Sequence, residues 1–93
     1  MIQSYRDKRT RDFSVGKRVK ALDGIARRAE LKLDQLDAAS SLRDLLLPGN
    51  RLEALKGDLR GQYSIRINDQ WRVCFEWSAG EIGPSNVEIV DYH

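Results

Sequence analysis

The sequence has few residues that form disulfides or bind metal ions: it has one cysteine, Cys74, and one histidine, His93. A lone cysteine excludes an internal disulfide and is typical of a cytosolic protein. One sulfur and one imidazole are too few for a zinc cage, so we expect no metal and no other cofactor. The sequence also lacks an apolar run near the roughly 20 residues of a membrane span and a secretory pattern at its start. We therefore expect a cytoplasmic protein with no membrane partner.

Length and composition indicate one soluble globular domain over residues 1–93. Hydrophobic residues make up 41% of the chain and charged residues 32%. This balance is typical of a folded soluble protein and not of a disordered one. Ninety-three residues provide for one modest core and leave no length for a second.

The charge is uneven along the chain, although the net charge is only +2. Residues 1–32 carry ten Lys or Arg against four Asp or Glu, whereas residues 33–93 carry six against ten. A basic first third can attract a polyanion. From charge alone, however, a well-solvated helix face is the simpler interpretation.

Hydrophobic periodicity predicts helices first and strands afterwards. A short strand is expected at residues 2–5, and a helical period with one buried stripe covers residues 17–39. Alternation then predicts strands at 62–67 and 71–77, joined by a loop at 68–70, and a final strand near 87–92. The expected fold is α+β, with an N-terminal strand and helices packed on one face of a mostly antiparallel sheet.

Alternation also places two arginines on the sheet face away from the aromatic residues. These are Arg66 and Arg72, and Lys56 lies at a strand end just before Gly57. Such cations could hold a phosphodiester. Each arginine could equally pair with an acid on a neighbouring strand, and a lysine in a turn is by default solvated.

The tail Asp91-Tyr92-His93 adds a group that can move protons. Histidine is the side chain whose unperturbed pKa lies near neutral pH. RNA carries its own nucleophile, the 2′-hydroxyl, so cleavage needs a held phosphate, charge stabilisation and proton transfer. The residues do not decide whether His93 or Tyr92 carries the proton.

Several segments together resemble a known family. They are Leu-Glu-Ala-Leu-Lys-Gly at 52–57, Gly-Gln-Tyr-Ser-Ile-Arg at 61–66, Asn-Asp-Gln-Trp-Arg-Val-Cys-Phe-Glu at 68–76 and Val-Asp-Tyr-His at 90–93. In these the chain resembles the HigB toxins of bacterial toxin–antitoxin systems, within the RelE/ParE superfamily. The resemblance implies a ribosome-dependent endoribonuclease that cuts messenger RNA in the decoding site and favours adenine-rich codons.

The resemblance also implies roles for individual residues. Lys56 and Arg72 match positions that contact the reacting phosphate, and Asp91, Tyr92 and His93 match the functional carboxy-terminal triplet. Arg66 is added from strand geometry alone. The family often has a His-Pro pair where this chain has Glu53-Ala54, which leaves His93 as the one candidate imidazole.

Partners follow from the same resemblance. We expect the 70S ribosome with its messenger RNA, a HigA-type helix-turn-helix antitoxin, and operator DNA only through that antitoxin. Basic residues of the first third are expected to contact ribosomal RNA phosphates; these are Lys17, Arg18, Lys20, Arg27, Arg28 and Lys32. Two alternatives stay open: a ParE-like toxin that binds gyrase, and a catalytically weak co-repressor that acts with its antitoxin.

Overall fold

The computed structural model describes residues 1–59 and 61–91, and of Leu59 only the backbone. A four-stranded sheet dominates it, and the strands are neighbours in chain order. All three strand pairs are antiparallel. The strands are β1 Glu53–Ala54, β2 Gln62–Arg66, β3 Trp71–Glu76 and β4 Ser85–Asp91. The predicted α+β fold is confirmed.

The β2–β3 hairpin follows the predicted alternation. Ile65, Val73 and Phe75 are fully buried on its inner face. At its turn the Asn68 side-chain oxygen accepts the backbone N–H of Gln70 at 2.8 Å and of Trp71 at 2.7 Å. An asparagine that bonds the backbone in this way stabilises a tight turn and so fixes the register of the two strands.

The single helix predicted for residues 17–39 is wrong, because the structure divides this segment. A 3₁₀ helix at Lys20–Ile25 precedes the α-helix α2 at Ala26–Ala38. Gly24 lies just before the junction and lowers helix propensity there. With three residues per turn, the 3₁₀ geometry aligns Leu22 with Ile25, and both are buried.

The core lies between α2 and the inner face of the sheet. Ala29, Leu33 and Leu36 follow helical spacing and pack with the buried residues of β2, β3 and β4. Each fully buried leucine of this kind contributes about 1.5–3 kcal/mol from the removal of its apolar surface from water. The helix therefore closes one sheet face and leaves polar chemistry to the other. None of the described helices is long and apolar enough to cross a bilayer.

The N-terminal segment covers the outer edge of β4. The predicted strand at residues 2–5 is reduced to one parallel bridge between Tyr5 and Val87, because the chain turns into the short helix α1 at Lys8–Ser14. From α1, Thr10 accepts the N–H of Ile89 at 3.1 Å and Arg9 donates to the Ile89 carbonyl at 2.8 Å. These bonds occupy backbone groups that would otherwise form an exposed sheet edge.

Candidate active site

Two arginines occupy paired positions on the outer side of the β2–β3 hairpin. Arg66 and Arg72 are direct cross-strand partners, which brings their Cβ atoms to about 5 Å. Val73, the neighbour of Arg72 along β3, is fully buried on the core side, so the arginines point away from the core. Like charges at such a position repel unless an anion joins them. In the structure each arginine has an acidic partner, Asp69 for Arg66 and Glu53 for Arg72, and a phosphate group carries the same sign of charge as these carboxylates.

The Arg72 guanidinium is held in a fixed orientation. Its Nε donates to Ser64 Oγ at 2.8 Å, and its Nη2 donates to the Arg51 carbonyl at 2.8 Å. Nη2 also lies 3.6 Å from Oε2 of Glu53, while the Arg72 side chain is only 11% exposed. Because Ser64, the Arg51 carbonyl and Glu53 all contact this guanidinium, a phosphate would meet a pre-organised group and not a mobile side chain.

A buried asparagine, Asn50, stabilises the turn that precedes the Arg51 carbonyl. Asn50 is fully buried, donates to Gln35 Oε1 and to the Leu45 carbonyl at 3.1 Å each, and accepts from Lys32 Nζ at 2.5 Å. Its carbonyl accepts the Arg66 N–H at 2.6 Å. The next residue, Arg51, has a left-handed φ of 45°. Asn50 thus ties α2 to the turn whose carbonyl binds Arg72.

The sequence interpretation missed Asn50, Arg51 and Ser64. The Pro48-Gly49-Asn50 run is typical of a turn, but nothing in the neighbouring residues indicates that the asparagine is buried. Its partners lie up to 18 residues away along the chain. The Arg51 contact with Arg72 spans 21 residues, so periodicity within one segment carries no information about it.

Basic residues of α2, of the turn after Asn50 and of the outer sheet face lie close enough to influence one another's environment. Burial lowers the pKa of Lys32, and the positive charges of Arg28 and Arg66 lower it further. Arg66 forms an ion pair with the exposed Asp69 and lowers the pKa of that carboxyl, with a smaller effect from Arg51. These mutual effects require the groups to be close in space.

The other basic residues of the first third are divided between exposed and paired positions. Arg27 and Arg28 are exposed on α2 and line a shallow groove of about 500 Å³. Arg18 forms a 2.6 Å ion pair with Asp23, and Lys17 lies 3.8 Å from Asp12. Lys20 is exposed at the start of the 3₁₀ helix. Lys32, which the sequence predicts to contact ribosomal RNA phosphates, is half-buried and donates to Asn50.

The structure does not bring all the candidate residues to one face. Asp91 pairs across the sheet with Trp71, whereas Arg72 pairs with Val90. Because successive side chains alternate, Asp91 belongs to the core side of the sheet and Arg72 to the outer side. The Asp91 carboxylate accepts from Gln70 Nε2 at 3.1 Å. Tyr92 and His93 lie outside the described residues.

Lys56 and Cys74 have simpler surroundings. Lys56 is exposed directly before the 3₁₀ helix Gly57–Leu59, three residues beyond Glu53 along the chain. Cys74 is buried, and that burial raises the pKa of its thiol, as does Glu88. A protonated buried thiol is a small core residue and not a nucleophile. Within residues 1–59 and 61–91, no three His, Cys, Asp or Glu side chains come together as metal ligands would.

The chain is similar in sequence to known proteins. A family described as the RelE-like toxin of the type II toxin–antitoxin system HigB matches residues 3–93. Toxin HigB-1 of Vibrio cholerae is 52% identical over 50 residues, which cover 53% of each protein. Endoribonuclease HigB of Proteus vulgaris is 34% identical over 62 residues, which cover 67% of this chain and 65% of that protein. The chain thus matches between half and two thirds of the length of these relatives.

A solved structure shares the fold. The YoeB/ParE toxin from Agrobacterium tumefaciens superposes with a TM-score of 0.59 over 98% of both chains, at 18% sequence identity. At that identity the likeness concerns the arrangement of helices and sheet alone.

Proposed function

The chain belongs to the family of RelE-like HigB toxins of type II toxin–antitoxin systems, and from this premise we propose that it is an endoribonuclease. Its substrate is messenger RNA held on the translating 70S ribosome, and the reaction needs no metal ion. The relative from Proteus vulgaris is itself named an endoribonuclease. Cleavage of this kind would stop translation and arrest growth.

The observation that carries the proposal is the Arg66–Arg72 pair on the outer sheet face. RNA cleavage by the neighbouring 2′-hydroxyl builds negative charge on the phosphate oxygens in the transition state. The two arginines extend from paired positions on that face, and the Arg72 guanidinium, which Ser64 and the Arg51 carbonyl orient, can stabilise that charge without further rearrangement. The exposed Lys56 adds a cation that can reach toward the same phosphate from the end of β1.

Proton transfer is assigned to the carboxy-terminal residues. An imidazole exchanges protons near neutral pH, so His93 is suited to protonate the leaving 5′-oxygen. A phenol near pKa ~10 would need adjacent cations to take that role, so Tyr92 is the weaker candidate. Asp91, whose carboxylate accepts from Gln70, would anchor the end of β4 from which these two residues follow.

Mapping of messenger RNA ends tests the function. We expect the wild-type protein to produce cuts at defined codon positions on translating ribosomes and none on the same RNA without ribosomes. The His93→Ala variant should cut about 10²-fold more slowly, because general acid catalysis contributes a factor of that size. Purified ribosomes with a defined message and primer extension provide the measurement.

Two outcomes would contradict the proposal. Uncut transcripts together with loss of DNA supercoiling in a gyrase assay would favour the gyrase-binding alternative. Uncut transcripts with intact supercoiling, in a protein that still represses its operon with its antitoxin, would favour the co-repressor alternative. If His93→Ala cleaves at the wild-type rate, the proton-transfer role of His93 is wrong.

The exposed basic residues of α2 are proposed to contact ribosomal RNA phosphates. The double reversal Arg27→Glu and Arg28→Glu should weaken ribosome binding by at least tenfold and flatten its salt dependence, since phosphate contacts release counterions. Sedimentation with 70S ribosomes at several salt concentrations measures both effects. The matched control, Arg11→Glu with Arg43→Glu, changes two other exposed arginines by the same charge. Equal loss in both double variants would mean that only net charge matters.

We assign a HigA-type antitoxin with a helix-turn-helix as the protein partner. Operator DNA would be bound only through that antitoxin, and the toxin would act in the cytoplasm, where ribosomes translate. Family membership supports this set of partners. Copurification of the two products of one operon, followed by an operator gel shift with and without the antitoxin, tests both statements.

A further inference from the structure

Lys32 differs from the other basic residues of α2 in the direction of its side chain. Arg27 and Arg28 are exposed, whereas Lys32 is half-buried and its Nζ donates to Asn50 Oδ1 at 2.5 Å. Burial lowers the pKa of Lys32, and the positive charges of Arg28 and Arg66 lower it further. An ammonium group that leaves water and approaches like charges costs free energy unless a hydrogen bond holds it. The side chain of Lys32 is thus directed at Asn50 and not at solvent.

Asn50 is held by α2 and by the sheet at the same time. Its Nδ2 donates to Gln35 Oε1 and to the Leu45 carbonyl at 3.1 Å each. Its backbone carbonyl accepts the Arg66 N–H at 2.6 Å. Lys32 and Gln35 are three residues apart, so one face of α2 supplies both side chains. The bond from Lys32 therefore completes a set of contacts that fixes the backbone at Asn50.

The next residue passes this fixed position on to the sheet. Arg51 has a left-handed φ of 45°, a conformation that is strained for any residue except glycine and persists only where the surroundings impose it. Asn50 is held on one side of it, and Leu52 packs against the hydrophobic core on the other. The Arg51 carbonyl accepts from Arg72 Nη2 at 2.8 Å. The direction of the Arg72 guanidinium therefore depends on the backbone that Asn50 fixes.

We infer that Lys32 is a positioning residue for RNA cleavage, and that it acts on Arg72 through Asn50 and the Arg51 carbonyl. The inference rests on the proposed endoribonuclease function, in which Arg72 stabilises the reacting phosphate. Loss of the Lys32 bond removes a donor from Asn50 and lets the strained Arg51 relax, so its carbonyl no longer meets Arg72. Ser64 still accepts from Arg72 Nε, and the guanidinium is then misplaced but still present. Lys32 itself touches no substrate.

Single-turnover cleavage of ribosome-bound messenger RNA tests the inference. We expect Lys32→Met, which has no donor, to lower the cleavage rate about tenfold, less than the 10²-fold that a misplacement of about 1 Å can cause. Affinity for the programmed ribosome and its salt dependence should stay as in the wild type. Lys32→Arg keeps a donor and should cleave within about threefold of the wild-type rate. Lys8→Met removes the same charge from an exposed residue and should leave the rate unchanged.

Two further measurements show whether Lys32 acts through Arg72. In an Arg72→Gln background, Lys32→Met should cost no more than about twofold, because changes that act through one group are not additive. In the free protein, the NMR signal of the Arg72 guanidinium, assigned by its loss in Arg72→Gln, should report faster rotation about the bond from Cζ to Nη2 in Lys32→Met and not in Lys8→Met. If circular dichroism shows that Lys32→Met is not fully folded, Lys32→Gln, whose shorter side chain is neutral, takes its place.

Three outcomes would overturn the inference. An unchanged rate and an unchanged Arg72 signal in Lys32→Met would mean that its bond to Asn50 does not orient the arginine. A loss of ribosome affinity with a salt slope smaller by about one would mean that Lys32 contacts an RNA phosphate directly. A tenfold loss that persists in the Arg72→Gln background would mean that Arg72 is not involved. A wild type that cuts no messenger RNA overturns the proposed function instead, and the Arg72 signal then still decides whether Lys32 orients the arginine.

Discussion

Replacement of Arg72 by glutamine should lower the rate of ribosome-dependent cleavage about 10³-fold, since loss of one fixed donor to a developing oxyanion costs about 10²–10³ and a full charge is lost as well. The Arg72 side chain is 11% exposed, and Ser64 and the Arg51 carbonyl orient its guanidinium. Glutamine keeps part of the hydrogen bonding but cannot stabilise a negative charge to the same degree. Single-turnover kinetics on programmed ribosomes measure the effect.

Controls distinguish a catalytic loss from a structural one. Arg43→Gln removes the same charge from an exposed residue and should leave the rate unchanged. Arg72→Gln should bind the antitoxin as the wild type does and lose about 1–3 kcal/mol of stability, because Ser64 and the Arg51 carbonyl lose a donor. Parallel loss of antitoxin binding and cleavage, with a variant that is largely unfolded without urea, would mean that Arg72 is a structural residue, and the proposed phosphate contact would then be withdrawn.

Replacement of Asn50 by alanine should have the largest effect on stability. Its side chain is fully buried and forms three hydrogen bonds, with Gln35, the Leu45 carbonyl and Lys32. Each buried polar group left without a partner costs about 1–3 kcal/mol. We expect the free energy of unfolding to fall by about 3 kcal/mol, a large part of the 5–15 kcal/mol typical of a domain. Urea denaturation monitored by tryptophan fluorescence measures it.

Two further variants make the Asn50 prediction specific. Asn50→Asp keeps an acceptor for Lys32 but loses the amide donations to Gln35 and Leu45, so its stability should lie between those of the wild type and Asn50→Ala. Ser78→Ala changes an exposed loop residue and should be neutral within about 0.5 kcal/mol. A loss below about 1 kcal/mol in Asn50→Ala would show that the network contributes no more than an ordinary surface contact.

The strand pattern was largely predictable because it depends on neighbouring residues. Alternation over residues 62–67 and 71–77 placed Ile65, Val73 and Phe75 in the core, where all three are fully buried. The same alternation placed Arg66 and Arg72 on the outer face. A period of two residues is a local property, so a single sequence is enough to find it.

The helical third was predicted less well, and the reason is also local. The predicted apolar stripe over residues 17–39 is confirmed, since Leu22, Ile25 and Leu33 are buried. Both 3₁₀ and α geometries can bury residues three or four apart, so the stripe does not locate the change of geometry next to Gly24. The N-terminal strand failed for another reason: its pairing with β4 is limited to one bridge, which depends on where α1 begins.

The sequence by itself determined the fold class, the outward-facing arginines, the family and the candidate tail Asp91-Tyr92-His93. Periodicity and motifs depend on residues that are neighbours in the chain, so they can be recognised without the structure. Only the tertiary structure decided which groups meet. It brought Glu53 and the Arg51 carbonyl to Arg72, turned Lys32 inward to Asn50, and set Asp91 on the sheet face opposite Arg72. Such contacts join residues distant in the chain, and they form only when packing against a common core fixes the register of the strands and the position of the helix.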